Sequence, residues 1–199
     1  MVSMTLYALG EERPRIHPEA YIHPLAVLIG EIHIGPSSTV WPGAIIRADN
    51  GPIIIGARTS IQDGAVIHIG GPRGTVIGDY CTIAHRAVVH GAEIGDDCLI
   101  GIGAVVMDGA KLGRRCVVGA MALVPPGTEV AEGSVIMGVP GKVVATRDNF
   151  AATRRNALVY HRNALAYAQG RHDAWRAEGF AQWREEINRR LAAGEVVEA

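Results

Sequence analysis

Residues 94–124 read IGDDCLIGIGAVVMDGAKLGRRCVVGAMALV, and an aliphatic residue returns at every sixth place: Ile94, Ile100, Val106, Leu112, Val118 and Val124. The same beat runs earlier through Ile16, Ile22, Leu28, Ile34, Val40 and Ile46, then Ile55, Ile61 and Ile67, then Ile77, Ile83 and Val89. Four places after many of these stands a small residue, such as Ala65, Ala87, Ala104, Ala110 or Ala122. A period of six fits neither the 3.6 of a helix nor the simple alternation of a strand. It fits a coil of three flat faces, each supplying one large inward side chain, with the small residue where the interior narrows. Such coils stack about 4.8 Å apart as parallel strands. The predicted fold is therefore all-β, a parallel β-helix.

The frame accounts for the cysteines. Cys81, Cys98 and Cys116 fall on the small inward position, where a thiol acts as a small buried hydrophobe. Three cysteines without paired spacing do not make a disulfide framework. Turns such as Gly95-Asp96-Asp97 read as ordinary corners.

The repeat is expected to stop near Val124, with Pro125-Pro126-Gly127 and Gly138-Val139-Pro140-Gly141-Lys142 as an exit. From about Asp148 the composition shifts to Ala, Arg and Leu. Asp148 or Asn149 can cap a helix carrying Leu158, Leu165 and Ala168 and ending near Gly170. A second helix would hold Trp175, Phe180, Trp183, Ile187 and Leu191. This predicts a β-helix over residues 1–146 and a helical tail over 147–199 packed on it, its arginines forming solvated faces.

At 199 residues and a formal net charge of −1, the chain has no electrostatic bias toward nucleic acid or an anionic membrane surface. No apolar run reaches the roughly 18 residues that span a bilayer. Met1-Val2-Ser3-Met4-Thr5 lacks the basic-then-apolar pattern of a signal peptide. The expectation is a cytoplasmic protein with neither nucleic-acid nor membrane partners.

The repeat frame also sorts the eight histidines. His68 follows inward Ile67 and His90 follows inward Val89, three faces later. The two should stack on one outer face, a strand spacing apart, which suits imidazoles sharing a Zn²⁺ at about 2.0–2.1 Å each. His85 lies one face earlier, and five residues of extended chain span on the order of 12–16 Å. It does not easily join the same metal within one chain. A three-fold ring, built by one heterologous contact repeated, would let a neighbour present its own His85. Arg47 lies one coil below His68, Asp63 lies beneath His85, and Gln62 adjoins them. His17, His23, His33, His161 and His172 show no such register and read as surface residues.

Three segments carry a resemblance: Arg47-Ala48-Asp49, Gln62-Asp63-Gly64-Ala65-Val66-Ile67-His68 and His85-Arg86-Ala87-Val88-Val89-His90-Gly91. Together they resemble the signature of the γ-class carbonic anhydrases and their close relatives among hexapeptide-repeat proteins, over nearly the whole repeat region. The resemblance implies a left-handed β-helical homotrimer with zinc sites at subunit boundaries. His68 and His90 would come from one subunit and His85 from the next. It further implies an Arg47–Asp63 ion pair across the boundary, supported by Asp49. Gln62 would hydrogen-bond a zinc-bound hydroxide, and Tyr160 is similar to a tail tyrosine that approaches the metal. Asn50 stands where active relatives carry glutamate, Ser60 where the family usually has asparagine, and the short Gly70-Gly71-Pro72-Arg73-Gly74 replaces an acidic loop.

The activity so implied is reversible hydration of CO₂ to bicarbonate. Three imidazoles also suit Fe²⁺ or Co²⁺. Two other readings stay open. One is an acyltransferase acting on an acyl-CoA with a histidine as general base, for the coil and the exit segment occur there too. The other is a non-catalytic trimer stapled by zinc.

Overall fold

In the computed structural model, residues 5–197 are described, and they wind into a left-handed parallel β-helix followed by two α-helices. The reading about a leader rests on Met1–Met4, which lie outside the described residues, as do Glu198 and Ala199. Among the described residues no helix is long and apolar enough to cross a membrane.

Each coil has three faces. On the first, Val27, Ile45, Val66, Val88, Val105 and Leu123 pair in parallel, one above the next. On the second, Arg15, His33, Ile54, Val76, Glu93, Lys111 and Glu129 do the same. The third stacks Tyr21, Thr39, Ser60, Thr82, Leu99, Val117 and Val135. The period-six aliphatics point inward, and from Leu28 to Val124 they form one continuous buried core. Two strands, Val27–Ile34 and Ile45–Ile55, carry on around the corner between the first two faces. Gly30 permits this at a φ of 86°, because a Cβ there would overlap the Ala48 carbonyl of the next coil. Cys81, Cys98 and Cys116 are fully buried and free. The hydrogen bond with Cys98 and then burial hold the Cys116 thiol far above its usual range.

The coil begins early in the chain and runs beyond the expected end of the repeat. Thr5–Tyr7 pairs in parallel with Val27–Ile29, beneath the first coil. At the other end the repeat does not stop at Val124. Glu129–Val130 and Ser134–Met137 continue the second and third faces, and Val130 and Ile136 keep the six-residue beat. The chain then reverses, and Lys142–Thr146 lies antiparallel on Ser134–Met137.

Helix α1 (Phe150–Tyr167) runs back along the third face, and α2 (Phe180–Ala192) packs against it. Asp148 Oδ1 accepts the Phe150 N–H at 2.9 Å, while Asn149 Nδ2 donates to the Arg115 carbonyl at 2.9 Å and ties the helix start to a corner. Leu158, Ile187, Leu191 and Val197 form a second small core. Several tail residues depart from expectation. Leu165 is 53% exposed rather than packed, and Trp175 belongs to a 3₁₀ turn, Ala174–Arg176, that precedes α2. His161 is half-buried, with Nδ1 donating to the Ser37 carbonyl at 3.1 Å.

The larger departure is Arg154, which is buried rather than solvated. Its Nε and Nη2 donate to the Asp97 carboxylate at 2.7 and 3.0 Å, and its guanidinium lies 3.4 Å over the Tyr80 ring. Asp97, expected as an ordinary corner residue, is 1% exposed with a φ of 55°. A fork of two charge-assisted bonds fixes where α1 meets the coil. Removing one partner leaves the other charge buried and alone, at a cost of about 3–5 kcal/mol. Arg154→Met and Asp97→Asn should each lower the midpoint of chemical denaturation sharply, and the double variant by less than their sum. Additive effects would show that the two groups do not depend on each other.

Candidate functional site

Register builds the site. Arg47, His68 and His90 pair as successive rungs at the outer edge of the first face. Thr75, fully buried, reinforces this edge: its Oγ1 donates to the His68 carbonyl at 2.6 Å and accepts the Gly91 N–H at 3.1 Å. The expected stacking is therefore present, with His68 Nδ1 and His90 Nε2 3.0 Å apart.

Their other ring nitrogens are engaged by carboxylates. His68 Nε2 lies 3.0 Å from Asp49 Oδ1, and His90 Nδ1 lies 2.8 Å from Asp108 Oδ1. The sequence reading does not include Asp108, which sits eighteen residues after His90, about one coil later. It reaches His90 because Gly70 and Gly91 are bare: a Cβ on either would collide with its Oδ1. The short loop 70–74 thus begins with a glycine that makes room for this carboxylate. Asn50 is exposed on the strand Ile45–Ile55.

His85 lies elsewhere, at the corner between the third and first faces. Its Nδ1 is 3.1 Å from Asp63 Oδ2, and its Nε2 is 3.1 Å from the Tyr160 hydroxyl. Burial, then the charge of Asp63, raises the Tyr160 pKa, so the phenol stays protonated and donates to Nε2. Nδ1–H of His85 then donates to Asp63. Trp41 and Trp175 hold the Tyr160 ring edge-on, at 5.6 and 5.9 Å between centroids. Gln62, beside His85, is only 2% exposed and lines a cavity of about 490 Å³.

Arg47 and Asp63, expected to pair across a boundary, each already has a partner in its own chain: Arg47 bonds Asp49, and Asp63 holds His85.

Each of the three histidines therefore has one nitrogen backed by a carboxylate and one turned away from it. Such backing orients metal-ligating imidazoles and raises their basicity. Burial, followed by the nearby Arg47 and His90, lowers the His68 pKa and favours the neutral ring that a metal requires. Two ligands on a tetrahedral Zn²⁺ at about 2.0–2.1 Å stand roughly 3.3 Å apart. The 3.0 Å separation of His68 Nδ1 and His90 Nε2 is close to that. Within one chain these are the two imidazole nitrogens brought that close together. Among the described residues, no group of three or more His, Cys, Asp or Glu is placed to hold a metal ion.

Comparison with known proteins agrees with the fold. Residues 91–126 match the family described as bacterial transferase hexapeptide (six repeats). The chain is 34% identical over 144 residues to gamma carbonic anhydrase 1, mitochondrial, of Arabidopsis thaliana, a match covering 69% of this chain and 52% of that protein. It thus spans about half the length of that relative. It is 38% identical over 141 residues to carnitine operon protein CaiE of Escherichia coli O157:H7, covering 71% of this chain and 72% of CaiE. Among solved structures, a hexapeptide transferase family protein from Anaplasma phagocytophilum superposes with a TM-score of 0.78 at 29% identity, over 82% of this chain and 98% of that one. With its six-residue coil and its likeness to gamma carbonic anhydrase 1 and CaiE, the chain belongs to the hexapeptide-repeat family of β-helical proteins.

Proposed function

We propose that the protein is a carbonic anhydrase-like lyase that interconverts CO₂ and bicarbonate at metal sites completed between the subunits of a homotrimer. The observation that carries this reading is the set of three carboxylate-backed imidazoles, His68–Asp49, His90–Asp108 and His85–Asp63, two converging and the third set apart.

Two apolar surfaces, one half-buried and one exposed, support the assembly. Outward Ile45, Val66, Val88, Val105 and Leu123 form a strip up the first face, beside the His68–His90 pair. Above His85, the corner carries Ile102 and Met121, 54% and 71% exposed. Strip against corner is a heterologous contact, and repeating it three times closes a ring. It would set one subunit's His85 against the next subunit's pair.

A divalent cation, zinc or alternatively Fe²⁺ or Co²⁺, would supply the Lewis acid that makes water a nucleophile near neutral pH. The chain's own groups do the rest. His68 Nδ1, His90 Nε2 and His85 Nε2 would be the ligand atoms, each ring fixed by its carboxylate. Gln62, its amide directed to the cavity, would orient the attacking water. Tyr160, which donates to His85 Nε2 within the chain, would be released as a hydrogen-bonding group once that nitrogen is taken. Asn50 and the loop 70–74 add no carboxylate, and Asp49, Asp63 and Asp108 are each engaged with an imidazole, so small buffers would carry the product proton away.

A second reading has its own support. Asp63, His85 and Tyr160 form a relay within one chain, and a carboxylate-backed histidine can serve as general base without a metal. That is the chemistry of an acyltransferase using an acyl-CoA, and a transferase name is attached to the solved relative.

Stopped-flow CO₂ hydration by zinc-loaded protein tests the first reading. The rate should be slow, rise with the concentration of an imidazole buffer, and increase in weak buffer on Asn50→Glu. Zinc-loaded trimers without hydration would leave a metal staple, and a metal-free protein active on acyl-CoA would favour the second reading. Mixing inert His85→Ala subunits with inert His90→Ala subunits should restore metal binding in mixed trimers. If such trimers form and stay metal-free, the ligands are not shared between chains. Asp108→Ala should weaken zinc about 10–100-fold while leaving the fold intact. An unchanged zinc affinity by competition with a chelating dye would remove Asp108 from the site.

A further inference from the structure

Under helix α1, the cavity that begins at Gln62, His85 and Tyr160 continues as a groove along the coil axis. Its floor is the outer edge of the third face, where Ala84, Gly101, Gly119 and Met137 stand on successive coils. Three strand spacings make this roughly 14 Å long. The sides are apolar, from Leu99, Val117 and Val135, with Ile102 at the rim where the proposed neighbouring subunit would meet the corner. CO₂ needs neither this length nor this lining.

The two ends differ in chemistry. At the His85 end Gln62 lines the cavity, and no described residue hydrogen-bonds its side-chain amide. An amide that opens onto the cavity, with both its N–H₂ and its oxygen uncommitted to protein, can donate to the carbonyl oxygen of a ligand. At the other end stands Arg147, whose Nε donates to Asn149 Oδ1 at 3.1 Å. None of the described carboxylates pairs with its terminal nitrogens, and no acidic side chain lines the groove. An arginine fork offered at the end of an apolar trench reads a planar carboxylate.

We propose that this groove binds a medium-length apolar chain that carries a carbonyl head at Gln62 and a carboxylate at Arg147, such as a monoester of a dicarboxylic acid. The site would then serve a carbonyl compound larger than CO₂. This rests on the reading that the His85 end is where chemistry occurs, but the binding itself requires no metal.

The probe is monomethyl suberate, with dimethyl suberate as its uncharged counterpart, titrated calorimetrically into the full chain. The monoester should bind at least tenfold more tightly than the diester. Arg147→Met should erase that preference, and Val117→Trp, which fills the groove, should weaken both ligands. Equal affinity for the two esters, or a preference that survives Arg147→Met, overturns the proposal, as does the absence of binding up to millimolar monoester. Should Val117→Trp fail to fold, the Arg147→Met comparison still decides. Repeating the titration on His90→Ala, whose substitution lies outside the groove, separates the two ideas. Binding there, alongside wild-type protein that does not hydrate CO₂, would keep the groove and discard the hydration reading. Hydration without ester binding would do the reverse.

Discussion

Everything in this molecule depends on parallel strands stacking in register. Each face repeats its hydrogen bonds one coil higher, so a residue's neighbours are set by the sequence distance of one turn. Ile67 packs on Val89 in the interior, and by the same pairing His68 must meet His90 outside. A shift of one residue would turn the aliphatics outward and the histidines into the core, so the hydrophobic interior enforces the geometry of the site. Core and chemistry are two sides of the same three-residue strands, Val66–His68 and Val88–His90.

What could be read from the sequence follows from that constraint. The six-residue beat is a property of the chain alone, so the coil, its inward residues and the His68–His90 stack could all be deduced by counting. Counting also reaches Val130 and Ile136, which keep the beat past the prolines; Pro125 and Pro126 obscured a coil that the aliphatics still mark. Asp108 was within reach of the same count, one turn above His90. Its corner position hides it, because an aspartate is common there for turn reasons alone. Arg154 is a different matter. A basic residue on a helix normally faces water, and only the position of α1 against the corner at Asp97 reveals the buried pair. Nor does local sequence separate Trp175 in a 3₁₀ turn from the start of a helix.

The carboxylates divide the site into two halves of unlike character. Asp49 and Asp108 hold a pair of rings toward each other, on a flat face bordered by apolar residues. Asp63 and Tyr160 hold a single ring at a corner beside a deep groove. Tyr160 comes from α1, so the helical tail reaches the site directly, and its placement depends on the same docking that Arg154 anchors. The tail is thereby joined to the chemistry through packing rather than through any ligand of its own. That arrangement also explains why the groove exists, since α1 covers the third face only in part and leaves the small residues of Gly101 and Gly119 open.

Since a coil touches only the coils above and below it, stability along such a structure is a nearest-neighbour sum. The His68 and His90 strands lie in the middle of the stack, with further rungs on either side. Turns can therefore be gained or lost at either end of the solenoid over evolutionary time without altering the distance between these rings. The length of the protein is free to drift while its histidine rung stays fixed, which lets one small cassette be carried within chains of very different size.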